Sequence, residues 1–322
     1  MNERLANKKL RSTFSQIGWV MLAYYGIMNL SVLGVDFTQI IYRTLKALAQ
    51  GSSMSRIEQI YEDVLMSNGW GYLLAVAIGA LILRLWKGRS FCYQVIWQRE
   101  NEMEAGAFFS LLAIFVSGQL LFQIFGTWQE WMLNLFGYSA LKAFESATMQ
   151  VNTLSMFLYV ALIGPVAEEI LFRGFILRTL QPYGKRFAIL LSALLFGVYH
   201  GNIVQAPFAF AIGLVLGYTA IEYSILWAII LHVFNNFVLS VLLDKLTAPL
   251  PEEAAGAILM LIIIGFSIAA VCIAAVRRGE ISAYIRGNRV EKRYVKAFFG
   301  SVGIIILLIV MQLFAACSIM KI

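Results

Sequence analysis

Apolar stretches recur along the whole chain and are separated by short polar segments. Roughly 20 apolar residues are enough to cross a bilayer as a helix, and eight or nine stretches come close to that length. The run 187–245 is divided only by weak breaks. The pattern predicts an all-α fold, a polytopic transmembrane helical bundle. Its candidate spans are 15–35, 70–86, 106–126, 153–180, 187–203, 204–223, 224–245, 254–276 and 297–319.

Composition agrees with a membrane protein and argues against a nucleic-acid-binding one. Hydrophobic residues make up 60% of the chain and charged residues 13%, with a mean hydropathy of +0.77. A soluble domain has about 45–50% apolar and about 25% charged residues. The net charge of +7 comes from Lys and Arg residues that cluster between apolar stretches, as the positive-inside rule describes. We therefore expect the lipid bilayer, and no nucleic acid, as a partner.

The basic residues also predict the orientation of the chain in the membrane. If the N-terminus lies in the cytoplasm and the spans alternate, Lys and Arg concentrate in the cytoplasmic segments. These segments hold Arg4 to Arg11, Lys87 to Arg99, Lys185 with Arg186, and Arg277 to Lys296. The short outer segments 127–150 and 246–253 hold at most one lysine each. The predicted orientation is N-terminus cytoplasmic and C-terminus outside.

The spans group into three predicted regions. These are an N-terminal membrane region 1–150 with three spans, a core 151–245 and a two-span C-terminal extension 246–322. The outer segment 36–69 holds Ser55 and Glu58 at capping-box spacing, followed by apolar residues at helical intervals. This pattern predicts an amphipathic helix on the outer membrane face, and a lid or substrate-docking element is the alternative.

A few polar residues fall inside the predicted spans. An ionisable side chain at the centre of a span costs about 2.5–3.5 kcal/mol on insertion scales, so it usually faces the protein interior and has a function. These residues are Glu168, Glu169, Arg173, His200, His232, Asn235 and Asn236. They mark the candidate functional site.

Helical geometry separates the two glutamates. Glu169 and Arg173 are four residues apart in the order favoured for an ion pair. Glu168 is rotated by about 100° from Glu169 around the helix, and it is predicted to be a free carboxylate while Glu169 and Arg173 form a structural brace. Pro165, three residues earlier, predicts a kink just before the carboxylates.

The remaining residues suit hydrolysis. His232 and Asn236 are four residues apart, as are Phe196 and His200, so each pair shares a helix face. Glu168 and His200 could polarise a water molecule while His232 and Asn236 donate hydrogen bonds to an oxyanion. Glu168, His200 and His232 could also serve as three ligands of a zinc ion. The sequence therefore leaves open whether the site uses a divalent metal such as zinc or no cofactor.

Two other functions fit the same residues. Polar side chains inside a bundle often serve only to hold spans together. Proton-coupled transporters also use buried glutamate and histidine, although they commonly show repeated halves, and the chain has no second copy of this arrangement.

The polar residues resemble three motifs of one enzyme family. EExxxR matches Glu168, Glu169 and Arg173; FxxxH matches Phe196 and His200; HxxxN matches His232 and Asn236. The family is the CAAX protease and bacteriocin-processing (CPBP) family of intramembrane proteases, also called the Abi or type II CAAX prenyl endopeptidase family. The resemblance covers residues from about 150 to 245, and the motifs stand in order on separate predicted helices.

The resemblance implies a membrane-embedded endopeptidase, a hydrolase acting on a peptide or membrane-protein substrate in a bacterial cell membrane. By motif match, Glu168 is the expected base with His200 assisting it, and His232 and Asn236 are the expected oxyanion donors. Members are labelled metalloproteases, yet a metal-free glutamate mechanism has been argued for them. Some members act as scaffolds or bacteriocin self-immunity factors without demonstrated proteolysis, which is the alternative function.

Overall fold

The structure, a computed structural model, describes residues 3–141 and 151–321. Two parts of the predicted topology lie outside it, the Arg4 side chain and residues 142–150 of the outer segment. The helices are α1 (Glu3–Ala49), α2 (Met54–Ser67), α3 (Trp70–Ser90), α4 (Ala105–Asn134), α5 (Leu154–Tyr183), α6 (Lys185–Tyr199), α7 (Gln205–Glu222), α8 (Ile225–Thr247), α9 (Glu252–Val276), α10 (Arg278–Gly287), α11 (Lys292–Phe299) and α12 (Val302–Cys317). A two-residue antiparallel pairing joins β1 (Tyr138–Ser139) to β2 (Met320–Lys321).

The predicted polytopic helical bundle is confirmed. Within the described residues, seven helices are long and apolar enough to cross a membrane when α2 and α3 are counted together. Helices α11 and α12, bent by 64° at their junction, would add an eighth span. The remaining predicted span, 187–203, is α6, whose 15 residues rise only about 22 Å. Most of α6 is buried by neighbouring helices, so its length need not match the thickness of the lipid.

Segments predicted to face the cytoplasm meet at one end of the bundle, called here the basic end. Lys185 Nζ lies 2.9 Å from Glu222 Oε1, and the Tyr284 hydroxyl donates to the same oxygen over 2.8 Å. Glu100 N donates to the Tyr223 carbonyl over 2.9 Å. These contacts bring together helix ends that the positive charges predicted to lie on one side of the membrane. That this side is the cytoplasmic one stays a prediction.

Predicted outer segments meet at the other end, called here the opposite end. Gly69 N donates to Ser155 Oγ over 3.2 Å, and Gln129 Nε2 donates to the Ile203 carbonyl over 3.0 Å. The pairing of β1 with β2 also lies between two predicted outer segments. Helix α2 buries Ile60 and Val64, two residues of its predicted apolar face, whereas Tyr61 and Leu65 of that face are exposed. The capping-box prediction is wrong, because α2 begins at Met54 and Ser55 lies inside its first turn.

The first and last spans are in close contact. A Cβ on Gly18 would lie 2.2 Å from the Gly303 carbonyl carbon, so α1 and α12 approach as only glycine permits. Gly303 N donates to Ser15 Oγ over 2.8 Å at the same crossing. The buried Phe14 ring packs on Phe187 of α6 at 5.8 Å between centroids. The terminal helices are thereby fixed against the central ones that carry the candidate site.

Candidate active site

Helix α5 carries both glutamates and contains two wider, π-helical turns. These turns, Leu158–Ile163 and Ile170–Leu177, lie on either side of the segment Gly164–Glu169. Pro165 stands in the first turn of that segment, and Gly164 N donates to the Tyr159 carbonyl five residues back. The wider turn accommodates a residue that lacks an N–H donor, and α5 runs without a break through the predicted kink.

Arg173 is fully buried and is held from three directions. Its Nη1 lies 2.9 Å from Glu169 Oε1, the pair that the i,i+4 spacing predicted. Its Nη2 donates to the Gly213 carbonyl over 3.3 Å. The guanidinium carbon stands 4.5 Å from the centre of the Phe196 ring, a favourable cation–π contact. Phe196 of the FxxxH motif therefore supports the arginine of the EExxxR motif.

His232 lies between the two glutamates. Its Nδ1 is 2.8 Å from Glu169 Oε1, and its Nε2 is 3.7 Å from Glu168 Oε2. A carboxylate oxygen accepts hydrogen bonds, so the short contact makes Nδ1 the donor. In the neutral ring, Nε2 then carries the lone pair and faces Glu168. A carboxylate that fixes one ring nitrogen in this way also fixes the orientation of the other.

The two glutamates differ in accessibility and in partners. The Glu169 side chain is 0% exposed, whereas 26% of the Glu168 side chain is exposed. Within the part of the chain that the structure describes, no donor lies at hydrogen-bond distance from the Glu168 carboxylate, and His232 at 3.7 Å is its nearest ionisable neighbour. Glu168 therefore keeps its acceptor sites open, as expected for the carboxylate that Arg173 does not pair.

His200 is the first residue after the C-terminus of α6, and Lys185 is the first residue of that helix. Its Nδ1 lies 2.8 Å from the Phe196 carbonyl, which can only accept, so Nδ1 is again the donor. The His200 and His232 rings meet the Phe196 ring edge-on at 5.0 Å and 5.7 Å. The structure places His232 next to Glu168, and the pairing of His200 with that carboxylate stays a prediction.

Asn236 is anchored by its amide group. Its Nδ2 donates to the Val160 carbonyl of α5 over 3.0 Å, and its Oδ1 accepts from Asn235 Nδ2 over 3.0 Å. Asn235 Oδ1 in turn accepts from Gln119 Nε2 of α4 over 2.7 Å. One N–H of the Asn236 amide is left for another acceptor.

The zinc set considered from the sequence is not assembled. Among the described residues, no group of three His, Cys, Asp or Glu side chains is placed to hold one metal ion. Glu168 Oε2 lies 3.7 Å from His232 Nε2, while His200 Nδ1 is bonded to the Phe196 carbonyl. We therefore derive no chemical step through a metal.

Two residues of this arrangement were not expected. Gly213 allows α7 to approach, because a Cβ there would lie 3.0 Å from Ala193 Cα and 3.4 Å from Arg173 Nη2. The small-residue spacing of Gly213 and Gly217 in the sequence was a signal for this contact. Gln119 is a polar residue inside the predicted span 106–126, and that position was its signal.

Comparison with known proteins identifies the segment that carries these motifs. Residues 150–238 match the family described as Type II CAAX prenyl endopeptidase Rce1-like. This segment is similar to that family, and the rest of the chain lies outside the match. The Rce1-like domain includes Glu168, His200, His232 and Asn236, and it confirms the resemblance seen in the sequence. No curated protein and no solved structure matches the chain. The protein is a multi-pass membrane protein with an Rce1-like domain.

Proposed function

We propose that the protein is an intramembrane endopeptidase that hydrolyses a peptide bond with a water molecule activated by Glu168. The observation that supports this most directly is the division between the two glutamates. Glu169 is buried and occupied by Arg173 and His232. Glu168 is accessible, unpaired by Arg173 and next to His232 Nε2.

In the proposed reaction, a water molecule donates hydrogen bonds to Glu168 and to the lone pair of His232 Nε2. Glu168 accepts a proton as the water oxygen bonds to the peptide carbonyl carbon, and the carbonyl oxygen becomes an oxyanion. Asn236 Nδ2 donates its second N–H to that oxyanion. Glu168 then gives the proton to the peptide nitrogen, the carbon–nitrogen bond breaks, and a carboxylic acid, which keeps the second proton of the water, and an amine are released.

The role proposed for His232 differs from the one predicted from the sequence. His232 was expected to stabilise the oxyanion, but its Nδ1 proton is directed at Glu169, so the neutral ring offers an acceptor on the other side. We therefore assign His232 to the water. His200 has the same tautomer, with its Nδ1 on the Phe196 carbonyl, and it keeps its proposed role as an assistant to the base.

The substrate is proposed as a peptide or a membrane-protein segment in a bacterial cell membrane. The description of the matching family names a prenyl endopeptidase. A prenylated cysteine peptide and its unprenylated counterpart are therefore suitable probes for comparing cleavage. The alternative is a scaffold or bacteriocin self-immunity factor, in which the buried network of Glu169, Arg173 and His232 serves only the fold.

Quantitative membrane proteomics of cells that carry wild type or Glu168→Gln tests the proposal. Uncleaved precursors should accumulate in the Glu168→Gln cells, while the amount of folded protein stays at the wild-type level. Glu280→Gln, which changes an exposed carboxylate, is the matched control and should accumulate none. Unchanged precursors together with full complementation by Glu168→Gln would establish the scaffold instead.

A further inference from the structure

Three side-chain amides form a hydrogen-bonded series, called here the amide relay, that ends at the proposed oxyanion donor. Asn236 Nδ2 donates to the Val160 carbonyl of α5 over 3.0 Å, and Asn236 Oδ1 accepts from Asn235 Nδ2 over 3.0 Å. Asn235 Oδ1 accepts in turn from Gln119 Nε2 over 2.7 Å. The amide relay therefore connects α4, which carries Gln119, to α8 and α5.

The direction of the amide relay follows from its last acceptor. A backbone carbonyl can only accept, so the Asn236 amide turns its Nδ2 towards Val160 and its Oδ1 towards Asn235. Asn235 must then donate with its Nδ2, which leaves its Oδ1 in need of a donor, and Gln119 supplies that donor. Reversing any one of the three amides would bring two acceptors or two donors against each other.

Gln119 is held in place by the packing of α4 on α7. Three residues further along α4, the Phe122 ring lies 5.2 Å from the Phe208 ring of α7, measured between centroids. Asn235, which receives the Gln119 hydrogen bond, is buried. A buried amide oxygen that loses its donor is costly, so the contact with Gln119 favours one orientation of the Asn235 amide over the other.

We propose that Gln119 is a positioning residue for the hydrolysis, and that it acts through Asn235 to keep the Asn236 amide in the orientation that donates to the oxyanion. This inference rests on the proposed function. The relay reaches the site by contacts, because Asn236 stands four residues after His232 on α8 and His232 Nε2 lies 3.7 Å from Glu168 Oε2. It gives α4 a part in the reaction, although the family match begins only at residue 150.

Gln119→Leu tests the proposal, because leucine fills much of the same space and donates no hydrogen bond. Gln123→Leu is the matched control, since it makes the same change one turn further along α4 at an exposed position. The readout is cleavage, by purified protein in liposomes, of a precursor that accumulates in Glu168→Gln cells, with kcat and KM expressed per folded molecule.

Gln119→Leu should lower kcat and leave KM unchanged, because the oxyanion forms only on the way through the transition state. At metal-dependent sites, loss of a group that orients a functional side chain costs about 10–100-fold, and a loss in kcat of about that size is expected here. Gln123→Leu should keep the wild-type kcat.

A double-mutant cycle separates positioning from a general loss of structure. If Gln119 acts through Asn236, Gln119→Leu should cause no further loss of kcat once Asn236→Ala is present. Asn235→Ala breaks the amide relay in the middle and should reproduce the loss seen in Gln119→Leu, which covers a folding defect in that variant.

Three results would overturn the proposal: wild-type kcat in Gln119→Leu, equal losses in Gln119→Leu and Gln123→Leu, or the same loss from Gln119→Leu with and without Asn236→Ala. These results bear on Gln119 alone when wild type cleaves the precursor and Glu168→Gln does not. If Glu168→Gln cells accumulate no precursor, the proposed function itself fails and the role of Gln119 fails with it.

Discussion

Glu169→Gln should destabilise the protein before it affects any chemistry. The change removes the charge that neutralises Arg173 but keeps an oxygen that can accept from His232 Nδ1. The guanidinium would be left fully buried with the Gly213 carbonyl at 3.3 Å and the Phe196 ring as its remaining partners. Removing one partner of a buried ion pair costs about 3–5 kcal/mol. For a chain of 322 residues the melting temperature should fall by about 4–7 °C.

The assay is thermal unfolding of purified protein in detergent, with the folded yield from membranes as a second measure. Glu280→Gln is the matched control, because it breaks an exposed pair with Arg277 and exposed pairs contribute only about 0–1 kcal/mol. The double variant Glu169→Gln with Arg173→Met removes both charges of this buried pair and keeps the acceptor for His232. It should recover most of the lost stability.

Two results would refute this account of Glu169. One is a melting temperature for Glu169→Gln that equals that of Glu280→Gln, which would mean that the buried charge of Arg173 needs no neutralising carboxylate. The other is a double variant no more stable than the single one. In that case the loss would come from local packing and not from the uncompensated charge.

Two further predictions concern turnover and assembly. Asn236→Ala should lower turnover by about 10²-fold by removing an oxyanion donor, measured as precursor processing per folded molecule; unchanged processing would remove Asn236 from the reaction. Gly18→Val should reduce the folded yield strongly, because even a Cβ at this position would lie 2.2 Å from the Gly303 backbone. Gly26→Val is the control and should be tolerated, because a Cβ at Gly26 has no neighbour within 4 Å. Equal yields of the two glycine variants would contradict the close crossing of α1 and α12.

Local patterns along the sequence were sufficient to predict the helices and the ion pair. The length and spacing of apolar runs indicate the spans, and the four-residue spacing indicates the contact between Glu169 and Arg173, because both depend on neighbours within one helix. The short α6 was not predictable in the same way. Its length is set by burial among other helices, while a hydropathy pattern measures only the apolar content.

Contacts between helices were the part that the sequence left open. The placement of His232 between two glutamates depends on how α8 is rotated against α5, and periodicity within each helix does not determine that rotation. The wider turns around Pro165 and through Phe234–Leu242 shift side chains away from ideal helical positions.

Cleavage by the purified protein in liposomes tests most directly whether Glu168 is the base of a peptidase. Wild type and Glu168→Gln would be compared on a precursor that accumulates in the Glu168→Gln cells, after both proteins are shown to melt at the same temperature. Wild type should cleave the precursor at one peptide bond, whereas Glu168→Gln should leave it intact. Cleavage at an undiminished rate by folded Glu168→Gln would contradict the assignment of Glu168 as the base.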